Sequence, residues 1–194
     1  MKIGGAVANE IAVSDELQQL PRVEQVSDFH CVTTWSCQAL KWSGFRFADF
    51  FEQVVQPSSA PDGAATLVLL RAQDGYRTTL PLEDLLVADA LLADRLNDEP
   101  LPIEHGAPLR LVLPAQYGYK NVKHLSRIEF LTPGTPYKAA GFRFMDHPRA
   151  RVALEERGRG LPGWIYRRLY RPLIRPTVRR FSEAMEEFER AKSD

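Results

Sequence analysis

Cysteine is scarce. The two present, Cys31 and Cys37, are too few for a disulfide framework and fit a reducing compartment, with a bridge between them open but not favoured. No run approaches the roughly 20 apolar residues that cross a bilayer. The N-terminus has neither the basic region nor the apolar stretch of an export signal, so the expected compartment is the cytoplasm. Net charge is also missing: 25 basic and 25 acidic side chains cancel. Residues 1–156 carry 15 basic and 20 acidic groups, and such a mildly acidic body argues against nucleic acid as the main ligand. There is no internal repeat. What is present, 194 residues of which 44% are hydrophobic and 26% charged, suffices for one buried core, so one domain with a tail is expected.

Along the chain, MKIGGAVANEIAV reads as an edge strand, and Ser14 as the cap of a short helix through SDELQQL. Phe29, Cys31 and Thr33 alternate with His30, Val32 and Thr34, the period of a strand, which would point His30 and Cys31 to opposite sides. FADFFEQVV has helical spacing and is expected to end at a loop, QPSSAPDGA. TLVLLRA reads as a buried strand joined to YRTTL by a tight turn at Asp74-Gly75, and Asn97-Asp98 as a second tight connection. PLEDLLVADALL reads as a helix or half-helix opened by Pro81, and LRLVLP and LSRIEFL as core strands. Short strands with isolated helices and no repeating strand-helix-strand pattern predict an α+β fold with a mixed or antiparallel sheet.

Two segments carry chemistry. DFHCVTTWSCQALKW places a cysteine beside a histidine among aromatics. It reads either as a structural cysteine or as a nucleophile, and the latter is weakened because strand neighbours face opposite ways. HGAPLRLVLPAQYGYKNVKHLSRIEF gathers His105, Arg110, Lys120, Lys123 and His124 around a Gly- and Tyr-bearing loop. Such a loop can offer N–H groups and cations to a phosphate, or can simply be a solvated basic face.

Together the segments resemble a known family. FHCVTTWS followed by LKWSGFRFADFF is similar to the motif around the metal-binding cysteine of the sulfite-oxidase-like molybdopterin oxidoreductases. HGAPLRLVLPAQYGYKNVKHLSRIEF is similar to a second signature and DGYRTTLPL to a third, and the similarity runs from about Ile3 to about Pro148. The resemblance implies a mixed-sheet sulfite-oxidase-like molybdopterin-binding fold of the α+β class over residues 1–148, followed by an Arg-rich and helical extension over 149–194. It implies a molybdenum-molybdopterin cofactor whose metal is held by the Cys31 thiolate, a soft ligand suited to it. His105 and Arg110 then match pterin or phosphate contacts, and Asn121, Val122 and Lys123 the loop that clasps the same group. Tyr76 matches an aromatic residue beside the metal's oxo groups, with a half-buried hairpin tyrosine as the alternative, and Cys37, matching no ligand, is expected to be packed.

The pattern also departs from the family. Sulfite oxidases place arginines close after the ligand cysteine, where this chain reads VTTWSCQALK, so sulfite is not the expected substrate. Neither a haem domain nor a dimerisation domain is recognisable, nor are the export signal and N-terminal pterin contacts of the bacterial methionine-sulfoxide reductases. The implied activity is oxygen-atom transfer or two-electron redox on a small substrate, with a separate electron-transfer partner. The rival is a degenerate, cofactor-free member that binds a partner.

From Arg157 to Arg180 there are eight arginines and no acid. Trp164, Ile165, Tyr166, Leu169, Tyr170, Leu173 and Ile174 interleave with Arg167, Arg168, Arg171, Arg175, Arg179 and Arg180, while Pro172 and Pro176 would interrupt a helix. SEAMEEFERAK reads as an acidic helix capped by Ser182. The basic stretch, residues 157–180, can meet a protein partner, lie on an anionic membrane surface, or fold back on the acidic body.

Overall fold

The computed structural model describes residues 1–137, 146–176, 178–179, 182–183, 186 and 190. Among the described residues, ten strands form two sheets. The first has the order β2 (Ile11–Ala12), β1 (Lys2–Gly5), β10 (Leu125–Leu131), β5 (Leu67–Ala72) and β6 (Arg77–Pro81). The second runs β3 (Arg22–His30), β4 (Ser36–Arg46), β7 (Leu91–Leu96) and β8 (Glu99–Pro100), with β9 (Arg110–Val112) also on β7. β1 and β10 are parallel, with Lys2 opposite Arg127, and the other pairings are antiparallel. This is the mixed-sheet α+β architecture expected.

Helix α1 lies against both sheets. It opens at Phe47–Phe50, widens to a π-helical stretch at Phe51–Val55 and closes at Gln56–Ser59. Phe47, Phe50, Phe51, Val54 and Val55 recur at helical spacing and are all buried, each side chain contributing about 1.5–3 kcal/mol by leaving water. They join Ile3, Phe45, Leu70, Leu92, Leu111 and Phe130 in the main core. Along β7, Leu91 and Ala93 face the other way, into a smaller cluster with Trp42 and Val112. The second sheet is therefore apolar on both faces at Leu91–Ala93, before Asp94 and Arg95 make the strand polar.

Several sequence expectations need correction. The N-terminal segment forms two strands, of which β2 is the edge while β1 is covered on both sides. Ser14 does not cap a helix: the following turn, Glu16–Gln19, is 3-10 without a side-chain cap, and the Ser14 N–H donates to Glu16 Oε2 at 2.7 Å. Helix α1 runs on through QPSS and stops at Ala60, which takes a left-handed φ of 46°. Pro57 is tolerated because it stands in the first turn after the π-helical stretch. Only Leu82–Leu85 of PLEDLLVADALL is helical (α2), since Leu91 onward is captured by pairing with β4 and β9. Both tight turns form as expected, with Asn97 and Asp98 left-handed between β7 and β8. Helix α3, Gly163–Tyr170, gives way to a 3-10 turn at Arg171–Leu173, where Pro172 lies. The expected SEAMEEFERAK helix and Arg180 fall largely outside the described residues.

Candidate functional site

Strand β3 ends at His30, so Cys31 sits in the reversal to β4 rather than within a strand. The Cys31 N–H donates to the Trp35 carbonyl at 2.9 Å, the Thr34 N–H to the Cys31 carbonyl at 3.0 Å, and Thr34 is left-handed with φ 86°. Cys31 Sγ lies 3.1 Å from Thr33 Oγ1 as a half-buried free thiol. His30 Nδ1 pairs with Ser36 Oγ at 2.8 Å, so His30 is turned to Ser36 rather than to Cys31. Cys37 is exposed, correcting the expectation that it is packed, because Ser36–Ala39 lie at the solvent-facing outer end of the hairpin. The two thiols are not bridged.

Across from this loop stands Arg110. Its guanidinium is buried, 4.8 Å from the Trp42 ring centre and 5.1 Å from that of Phe29. Nη1 donates to the His105 carbonyl at 2.9 Å, with longer contacts from Nε to Leu111 O and from Nη2 to Asn121 O. Among the described residues no carboxylate pairs with it. Burial pulls its pKa down to about 10, so it remains a cation at neutral pH, compensated only by carbonyl dipoles and ring faces. Lys123 Nζ donates to the Glu104 carbonyl at 2.5 Å, and burial followed by the charge of Arg110 lowers its pKa. The exposed His105 is also pushed down, first by desolvation and then by Lys123. Three basic groups thus share one corner, a pattern that a bound anion would relieve.

The Asn121 side chain organises the loop between β9 and β10. Oδ1 accepts the Leu113 N–H at 2.5 Å, while Nδ2 donates to the carbonyls of Leu113, Gln116 and Tyr117. Tyr76 O–H donates to the Tyr119 carbonyl at 2.6 Å, and burial raises its pKa, keeping the phenol protonated. A cavity of about 350 Å³ brings these pieces together: Cys31, Tyr76, Arg110, Asn121, Val122 and Lys123 all line it. His105 does not, and touches the site through its carbonyl on Arg110. A larger depression of about 1070 Å³ elsewhere contains Arg71 and Arg127, but both already pair with Glu129, and no cysteine lines it.

Sequence reasoning missed Phe29, Trp35 and Gly118 in the cavity wall. Gly118 had a readable signal as the glycine of the Tyr-Gly-Tyr loop: a Cβ there would lie 2.7 Å from Phe29 Cε1. Lys120, read in the sequence as one of the loop's cations, is instead fully buried and paired with Asp146 at 2.8 Å. Its Nζ also donates to Thr78 Oγ1 and Thr79 O.

A family model described as "oxidoreductase molybdopterin binding domain" matches residues 1–136. An uncharacterized oxidoreductase, YuiH, of Bacillus subtilis is 37% identical over 137 residues, which are 70% of this chain and 67% of that protein. A putative protein-methionine-sulfoxide reductase subunit, YedZ1, of Azospira oryzae is 31% identical over 148 residues, 74% of this chain and 54% of its own length. The sulfane dehydrogenase SoxCD of Paracoccus pantotrophus shares the fold, with a TM-score of 0.59 and 19% identity over 78% of this chain and 43% of the SoxCD chain. By the match to most of its length, and by its likeness to relatives it spans only in part, the chain belongs to the molybdopterin-binding oxidoreductase family.

Proposed function

We propose that the chain holds a molybdenum-molybdopterin cofactor through Cys31 and catalyses oxygen-atom transfer or two-electron redox on a small substrate. The observation that carries this reading is the pairing, in one cavity, of a free thiol with a buried arginine that has no carboxylate partner among the described residues. The donor set fits the group. Among the described residues no cluster of three or more His, Cys, Asp or Glu could hold a metal, and Cys31 would offer it one soft thiolate. When bound, the cofactor supplies the two-electron chemistry.

The chain's own residues bind and orient. Arg110 and Lys123 hold the phosphate by charge-assisted bonds, with His105 beside them on the exposed edge. Asn121 fixes the loop geometry through its four backbone contacts, and Val122 closes the wall. Tyr76 acts at the reacting face as a neutral phenol. To donate to a bound oxygen, its O–H has to leave the Tyr119 carbonyl.

No described helix is long and apolar enough to cross a membrane. We assign the chain to the cytoplasm and its electrons to a separate carrier. The exposed Arg167, Arg168, Arg171 and Arg175, set among exposed Trp164, Leu169 and Leu173, form the face for that carrier or for an anionic membrane surface.

The test is molybdenum content by mass spectrometry together with the fluorescence of released oxidised pterin, on protein made in a host that synthesises the cofactor. Near-stoichiometric metal and pterin are expected, with metal retention reduced about tenfold or more in Cys31→Ser, because a hydroxyl is a poor substitute for thiolate. A well-folded wild type without either would favour a cofactor-free, partner-binding protein.

A further inference from the structure

We propose that Arg157, which lies beyond the residues matched by the family model, is a positioning residue for the Cys31 loop; this rests on the reading of Cys31 as the metal ligand. Arg157 is 7% exposed. Its Nη1 donates to the carbonyl of Val32, the residue after Cys31, at 2.6 Å across 125 positions of sequence. Its guanidinium also lies 4.7 Å from the ring centre of Tyr117, which is itself buried and fixed by its N–H on the Ala150 carbonyl at 2.9 Å. Tyr117 opens the turn carrying Gly118, Tyr119 and Lys120. One side chain therefore joins the cysteine loop to the loop that forms the opposite wall of the cavity.

Charge balance alone does not account for this placement. The nearest acid, Glu155, is 3.8 Å away and 41% exposed, and Arg157 Nε has no hydrogen-bond partner among the described residues. Burying a guanidinium so weakly compensated is unfavourable, whereas its charge-assisted bond to a loop carbonyl is directional. Among the described residues, the remaining hydrogen bonds of Cys31–Trp35 close the turn upon itself, between Cys31 and Trp35, Cys31 and Thr34, and Cys31 and Thr33. Arg157 is the tie from this turn to the rest of the chain. Without it, the thiol would keep its chemistry and lose its fixed place.

The experiment measures alkylation of Cys31 by iodoacetamide in cofactor-free protein. All samples carry Cys37→Ser, since the exposed Cys37 would otherwise react, and the temperature is held well below each thermal midpoint. Arg157→Met should accelerate alkylation about tenfold or more, the size expected for losing one hydrogen bond to a charged group. Arg157→Lys should fall between, because an ammonium can reach the carbonyl but does not stack as a planar guanidinium does. Should Arg157→Met fail to fold, Arg157→Lys decides the matter alone. In loaded protein, Arg157→Met should also shift the thiolate-to-metal absorption at unchanged metal content. Alkylation at the wild-type rate in a folded variant overturns the proposal, whether or not the midpoint has dropped. Faster alkylation in a protein that never takes up molybdenum would sink the ligand role of Cys31 while leaving Arg157 as the anchor of its loop.

Discussion

His147 shows how one side chain ties the site to pH. Its Nδ1 accepts the N–H groups of Arg149 and Ala150 at 3.3 and 3.0 Å, which requires that nitrogen to be unprotonated. Burial lowers its pKa from 6.5, outweighing the pull of Glu156, and Lys120, Arg159 and Arg151 push the same way. Below pH 6.5 the unfolded chain therefore takes up a proton that the folded chain refuses, and stability falls until the pH has passed below the folded value. Glu156 is shifted the same way: Arg151 holds it below 4.5, so its contribution is also lost on acidification but only at more acid pH. Between about pH 7.5 and 5 the wild type should lose about 2–4 °C of thermal midpoint that His147→Gln does not. Equal slopes in both proteins would contradict this. The stake is local, because the His147 N–H donates to Tyr119 Oη at 3.1 Å, and the Tyr119 carbonyl accepts from Tyr76.

The loop following Tyr117 depends on the absence of a side chain at Gly118. A Cβ there would press on the Phe29 ring, which in turn lies against Arg110. Gly118→Ala should therefore destabilise the fold by about 1–3 kcal/mol, read as a lower denaturant midpoint at unchanged slope. It should lower pterin retention as well. An unchanged midpoint would mean that Phe29 has room to move. Such close contacts mark the limit of what the sequence discloses. The apolar stripe Phe47–Val55, the turns at Asp74-Gly75 and Asn97-Asp98, and the strands β5 and β10 were legible because each is set by residues adjacent in sequence. The end of α1 and the fate of Leu91–Leu96 were not, since partners distant in sequence override local preference there. In the site, resemblance pointed to Cys31, Arg110 and Lys123, and the cavity does bring them together. Asp146 on Lys120 and Arg157 on Val32 left no local trace: an acid or an arginine in a polar stretch looks like any solvated charge.

Charge is unevenly placed on this formally neutral molecule. Arg167, Arg168, Arg171 and Arg175 are exposed on or just beyond α3, whose inner side is held by the stacked, buried Tyr166 and Tyr170. A protein with a pI near 6.9 should pass through a cation exchanger at about pH 7.5, yet this one should be retained and elute at about 0.1–0.2 M salt. Changing the four arginines to glutamine should abolish retention; flow-through of the wild type would mean that the acidic body already covers them. The parallel pairing of β1 with β10 bears on the order of events at the ribosome. At about 5–20 residues per second, Lys2 and its neighbours emerge many seconds before the strand that will flank them, and Arg157 later still. The nascent N-terminal half thus waits with an incomplete sheet and an unsecured cysteine turn. Cofactor delivery into such a half-built pocket would be premature, so loading belongs after translation has carried the chain past Arg157.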